Sequence, residues 1–107
     1  MLYSGKQIVS KIKGHIRKRG GAYPAWVVGV SRNARKELFN QHGVQKDKDR
    51  WIFIHAQSPT VARRVKAYLM DKLGILGRTS VEDKTADFVY AYKKAAHTRQ
   101  AAATSPR

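Results

Sequence analysis

Residues 25–43, AWVVGVSRNARKELFNQHG, decide the fold. The run 25–30 is apolar and rich in the β-branched and aromatic side chains that suit a pleated strand. Ser31 follows with a hydroxyl suited to capping a helix start, where it can accept from a free backbone N–H. Residues 32–42 read as helix, with Ala34, Leu38 and Gln41 on one side and Gly43 as the C-terminal stop. Within the strand, Trp26, Val28 and Val30 share one side; Ala25, Val27 and Gly29 share the other. That smaller side would let a helix or another backbone approach closely. A strand running into a basic helix can bury one side and present cations on the other.

Upstream, residues 4–18 place Ile8, Ile12 and Ile16 at i, i+4 and i+8, with Val9 beside them, which is the helical period. Lys6, Lys11, Lys13, Arg17, Lys18 and Arg19 surround this stripe, and the segment holds no acid. Gly14 weakens the helix by up to about 1 kcal/mol relative to alanine, and Gly20-Gly21 ends it. Tyr23-Pro24 leads into the first strand, because the residue before proline is driven toward extended geometry.

Downstream, residues 45–50 form a polar connector. The second strand, WIFIHA at 51–56, is apolar on both sides and is therefore expected in the centre of its sheet. Ser58-Pro59 opens a helix, with a capping hydroxyl followed by proline at the first helical position. Val61, Ala62, Val65, Leu69 and Leu73 make its buried stripe, Tyr68 lies beside it, and Gly74 closes it. Residues 75–86 read as a loop. Residues 87–93 form the third strand, with Phe88, Tyr90 and Tyr92 on one side. From 96 to 107 the chain is small, polar and aperiodic, and a frayed tail is expected.

The reading is thus a small single α/β domain over 1–95, in the order helix, strand, helix, strand, helix, strand, with a three-stranded sheet packed by helices. Right-handed crossovers between parallel strands are the simplest connection. The long loop before the third strand leaves an antiparallel strand as the alternative. Such a sheet has open edges, and a homodimer could cover one of them.

Composition narrows the function. Twenty-two Lys and Arg stand against seven Asp and Glu, a formal charge of +15, and the pI is near 10.6. Self-repulsion on this scale points to a polyanionic partner, nucleic acid first and an anionic membrane face second. With no cysteine there is no disulfide, thiolate nucleophile or cysteine-based zinc site, in keeping with a reducing, cytoplasmic setting. No apolar run approaches the roughly 20 residues of a membrane span, and of the two polyanions nucleic acid, not a membrane, is the expected partner. The first residues lack the apolar centre of a secretory signal.

The residues expected to contact phosphates are Lys11, Lys13, Arg17, Lys18 and Arg19 of the first helix, then Arg32, Arg35 and Lys36, with Arg63 and Arg64 as a second tier. Such contacts give affinity without sequence preference, on DNA or RNA. Tyr90 and Tyr92 could stack bases on an open face, but burial in the core is the favoured reading, as for Trp26, Trp51 and Phe53. His15, His42, His55 and His97 lack ligand spacing, so neither a metal nor a cofactor is expected. His55, at a strand end, reads as a core or rim residue. No serine sits in a nucleophile elbow, and neither Glu37, Asp47, Asp49 nor the Glu82-Asp83 pair has a partner carboxylate suited to phosphodiester cleavage. No catalytic residue is assigned.

Val28-Gly29-Val30-Ser31, followed by Asn33, Leu38-Phe39 and His42, resembles the second half of the GIY-YIG endonuclease pattern. There a strand feeds a helix that carries a basic residue, matched by Lys36 or Arg35, and a histidine. The resemblance spans about twenty residues of the 107. The upstream G-I-Y strand is missing, Val27 stands in the tyrosine position, and Arg63, Arg64 and Lys66 occupy the place of the metal-binding glutamate. The resemblance implies a degenerate relative that keeps the fold and DNA affinity without cleavage. An active nuclease would gather Ser31, Arg35, Lys36, Glu37 and His42 around its site. The leading expectation is non-enzymatic nucleic-acid binding. The alternatives are this nuclease and a module for an acidic protein partner, in which charge serves steering.

Overall fold

The computed structural model describes residues 2–20, 22–36, 38–39, 43–45, 50–77 and 85–94. The elements in chain order are α1 (Gly5–Arg19), a 3-10 turn (Tyr23–Ala25), β1 (Trp26–Ser31), the short α2 (Ala34–Lys36), β2 (Trp51–His55), α3 (Pro59–Leu73), β3 (Leu76–Gly77) and β4 (Phe88–Lys93). Residues 46–49 of the 45–50 connector, the Glu82-Asp83 pair and the tail 96–107 lie outside the described residues.

Among the described residues, four strands form one mixed sheet in the order β2-β4-β1-β3. The third expected strand, now β4, is antiparallel to both neighbours: Gly29 faces Tyr90 across one ladder and Phe53 faces it across the other. The extra strand, β3, falls inside the expected 75–86 loop and pairs in parallel with β1, Val27 opposite Leu76. Two residues carry no alternation, so no pattern announces such a strand.

The central position expected for β2 is corrected. It lies at the sheet edge, and β4 and β1 are the inner strands. Its apolarity on both sides reflects cover above and below the sheet, which is independent of whether a strand has one lateral neighbour or two. Tyr3 guards one end of this edge through a parallel bridge to Ala56. Its N–H donates to the His55 carbonyl at 2.9 Å, and its carbonyl accepts from Gln57 at 3.0 Å.

Each face of the sheet carries its own core. On one face Ile8, Ile12 and Ile16 of α1 and Ala62, Val65 and Leu69 of α3 pack on Trp26, Val28 and Val30 of β1 and on Val89 and Ala91 of β4. Burying each isoleucine contributes about 1.5–3 kcal/mol. On the other face Ala34, Leu38 and Val44 cover Val27, Tyr90 and Tyr92. Ala25 belongs to the turn before β1 and packs with the first cluster, apart from the Val27 side on which it was expected. Tyr90 and Tyr92 are fully buried, in line with the core reading. Close approach at the small side of β1 is made by a ring: a Cβ at Gly29 would overlap the phenol of Tyr90.

The local signals explain both long helices. In α1, Ser4 and Gln7 form a reciprocal capping box, and Gly20, with φ 90°, closes the other end. The Trp26 indole N–H donates to the Gly20 carbonyl at 3.3 Å, fixing the helix end to β1. In α3, the Ser58 hydroxyl accepts from Val61 at 3.2 Å, and Gly74 ends the helix in the left-handed region.

The expected 32–42 helix starts later than its sequence suggested. The Ser31 hydroxyl accepts from Asn33 N–H at 3.0 Å, and the Asn33 side chain then accepts from Lys36 N–H at 3.2 Å. Asn33 therefore caps the first turn. Leu38 and Phe39 continue in a wider turn, closed by Val44 N–H on the Leu38 carbonyl at 2.9 Å with Gly43 at φ 74°. Glu37 and residues 40–42, including Gln41 and His42, lie outside the described residues.

Candidate nucleic-acid interface

The stripe Ile8, Ile12, Ile16 holds α1 against the sheet and thereby fixes which of its residues face outward. Lys6, Ser10, Lys13 and Arg17 follow at steps of four, three and four, which places them along one face of the helix. That face turns toward α3, where Arg64 and Tyr68 sit one turn apart. Between the helices lies an open groove of about 750 Å³. Val9 and Val65 contribute its apolar surface, Gly5 and Gly14 leave it uncrowded, and four cations line it: Lys6, Lys13, Arg17 and Arg64. Among the described residues, none of the lining is acidic.

Two features of the groove stand out physically. Tyr68 is 43% exposed although it is a large aromatic. Gly14 sits inside α1, outside the left-handed region, and a Cβ there would meet nothing within 4 Å. Neither backbone conformation nor packing among the described residues requires glycine at this position, although it weakens a helix by roughly 0.8–1 kcal/mol.

The ten basic residues singled out in the sequence do not converge. Lys13, Arg17 and Arg64 line the groove. Lys18 and Arg19 are exposed in the last turn of α1, where they complement the helix dipole. Lys11 points elsewhere, its ammonium 4.9 Å above the Tyr3 ring beside the β2 edge. Arg32, Arg35 and Lys36 are exposed after β1, and the Arg35 guanidinium stands 5.6 Å from the Phe53 ring, with the second core. Arg63 is half-buried, and Arg63 and Arg32 each already hold an interaction within the chain. Lys66, beside Arg63 and Arg64 in the same helix, is buried.

Sequence reasoning missed Lys6 and Tyr68 as groove residues. The four-three-four spacing of Lys6 with Ser10, Lys13 and Arg17 carried the first signal. Tyr68 carried none, because a tyrosine beside a buried stripe reads equally well as core.

Two histidines hold defined positions. His55 Nε2 and Asp87 Oδ2 are 2.7 Å apart, each side chain about one-third exposed, and the imidazole stacks on Phe88 with centroids 4.2 Å apart. His55 is thus a rim residue. His15 meets the Trp26 ring edge-on at 5.6 Å, and its buried Nε2 has no hydrogen-bond partner among the described residues. Burial, and secondarily the nearby Arg19 charge, hold its pKa below the ordinary imidazole value. Among the described residues no group of three or more His, Cys, Asp or Glu is placed to hold a metal ion, and no helix is long and apolar enough to cross a membrane.

Comparison with protein-family models, with curated proteins and with solved structures finds no match to this chain.

Proposed function

We propose that this protein binds nucleic acid without chemically altering it, chiefly through phosphates, and that the α1–α3 groove is the centre of the interface. The observation that carries this reading is the convergence of four cations from two helices on one open groove whose lining, among the described residues, holds no acid. A merely solvated basic surface has no reason to align its cations with a concave, partly apolar floor. The chain's charge of +15 adds long-range attraction that would speed encounter with a polyanion.

A salt titration by fluorescence anisotropy tests the proposal, with duplex DNA, single-stranded DNA and single-stranded RNA as probes. Binding that persists near 0.15 M salt and weakens linearly on a log–log plot is expected. If only the four groove cations contact phosphate, the slope on a single strand should be near −3, at about −0.7 per contact. Weak binding that disappears by that salt on all three probes would overturn the proposal and turn attention to an acidic protein partner.

A further inference from the structure

We infer that the groove takes an unpaired strand, with a base lying against Tyr68 and over Gly14 while phosphates meet Lys13, Arg17 and Arg64. This inference rests on the nucleic-acid reading above and narrows its ligand. Cations alone would serve duplex and single strand alike. The lining distinguishes them: Val9, Val65 and an exposed tyrosine share the groove with the cations. Such a surface suits the flat, apolar face of a base, which a single strand exposes and a duplex hides within its stack.

Gly14 points the same way. A side chain there would project into open space beside the groove, so the chain's own packing leaves the position free to be larger. An approaching ring does not. The lining positions of α1 extend over residues 5–17, about 18 Å of helix at ~1.5 Å per residue. That length spans about five stacked nucleotides at roughly 3.4 Å each, enough for several phosphate contacts around one or two seated bases.

The test uses the full chain with labelled oligo-dT and oligo-U of about a dozen nucleotides, a site size typical of such binders, and a duplex of equal length. Wild type should bind at least one single strand about tenfold more tightly than duplex. Tyr68→Ala should lose roughly tenfold on that strand, the scale of one base–aromatic stack, and less than about twofold on duplex, whose contacts are to phosphate. Tyr68→Phe should retain single-strand affinity. Gly14→Leu should lose single-strand affinity similarly while melting no lower than wild type, because the leucine has space and a better helix propensity. Equal affinity of wild type for duplex and single strands would overturn the inference, as would Tyr68→Ala and Gly14→Leu variants without a selective loss. Either result leaves the proposed function standing, whereas wild type binding none of the probes removes both.

Discussion

Neutralising Arg17 and Arg64 together, as Arg17→Gln/Arg64→Gln, separates a groove that contacts phosphate from a surface that is merely basic. Both side chains are exposed, one from each helix, and both line the groove. Four cations contacting a single strand release counterions with a log–log slope of about −2.8, and two with a slope of about −1.4. Between 50 and 200 mM salt, wild-type affinity should therefore fall about fiftyfold and the variant's only about sevenfold. Neither arginine supports the core, so the thermal midpoint should move by no more than a surface substitution allows, within about 0.5 kcal/mol of stability. Anisotropy titrations at four or more salt concentrations, with a calorimetric melt of each protein, make the measurement. An unchanged slope in a folded variant would refute the assignment of these two residues. A control, Arg35→Gln/Lys36→Gln, removes the same charge from the far side of the sheet and should leave the slope near the wild-type value.

Other expectations concern the scaffold. Gly29→Ala should destabilise by about 1–3 kcal/mol, the usual cost of overpacking, since its methyl would collide with the fully buried Tyr90; urea unfolding checks this, and an unchanged midpoint would show that the ring moves freely. Ser58→Ala removes the cap on Val61 and should cost about 1 kcal/mol, read from the same curves. His15 is held below its ordinary pKa, so the unfolded chain takes up a proton that the folded chain resists. Its contribution to stability is present above the ordinary imidazole value and is lost as pH falls from there toward the folded value. Melting His15→Phe alongside wild type across that window should show a shallower acid-side decline in the variant, and parallel curves would contradict the placement of His15.

Much of the scaffold could be read from local chemistry. Ile8, Ile12 and Ile16 revealed the packed face of α1, and Ser58-Pro59 with Gly74 bounded α3, because caps and helical periodicity act over a few neighbouring residues. The sheet order could not be read this way. WIFIHA at 51–56 looks central since both of its sides are apolar, yet lateral hydrogen bonding leaves no mark on side-chain pattern, and β2 is an edge. Leu76-Gly77 is too short to show a period at all. The same limit applies to the groove. Lys13 and Arg17 were visible as cations of one helix, but their meeting with Arg64 and Tyr68 depends on how two helices forty or more residues apart settle on the sheet. Arg32, Arg35 and Lys36 looked equivalent to them in sequence and stand elsewhere in space.

The most direct test of the α1–α3 groove as the interface is amide chemical-shift mapping of the isotopically labelled protein during titration with a short single-stranded oligonucleotide. If the groove is the interface, changes concentrate at residues 6–17 and 64–68, with Arg35 and Lys36 nearly still. Changes centred on residues 32–36, or on the β2 edge around His55, would contradict it.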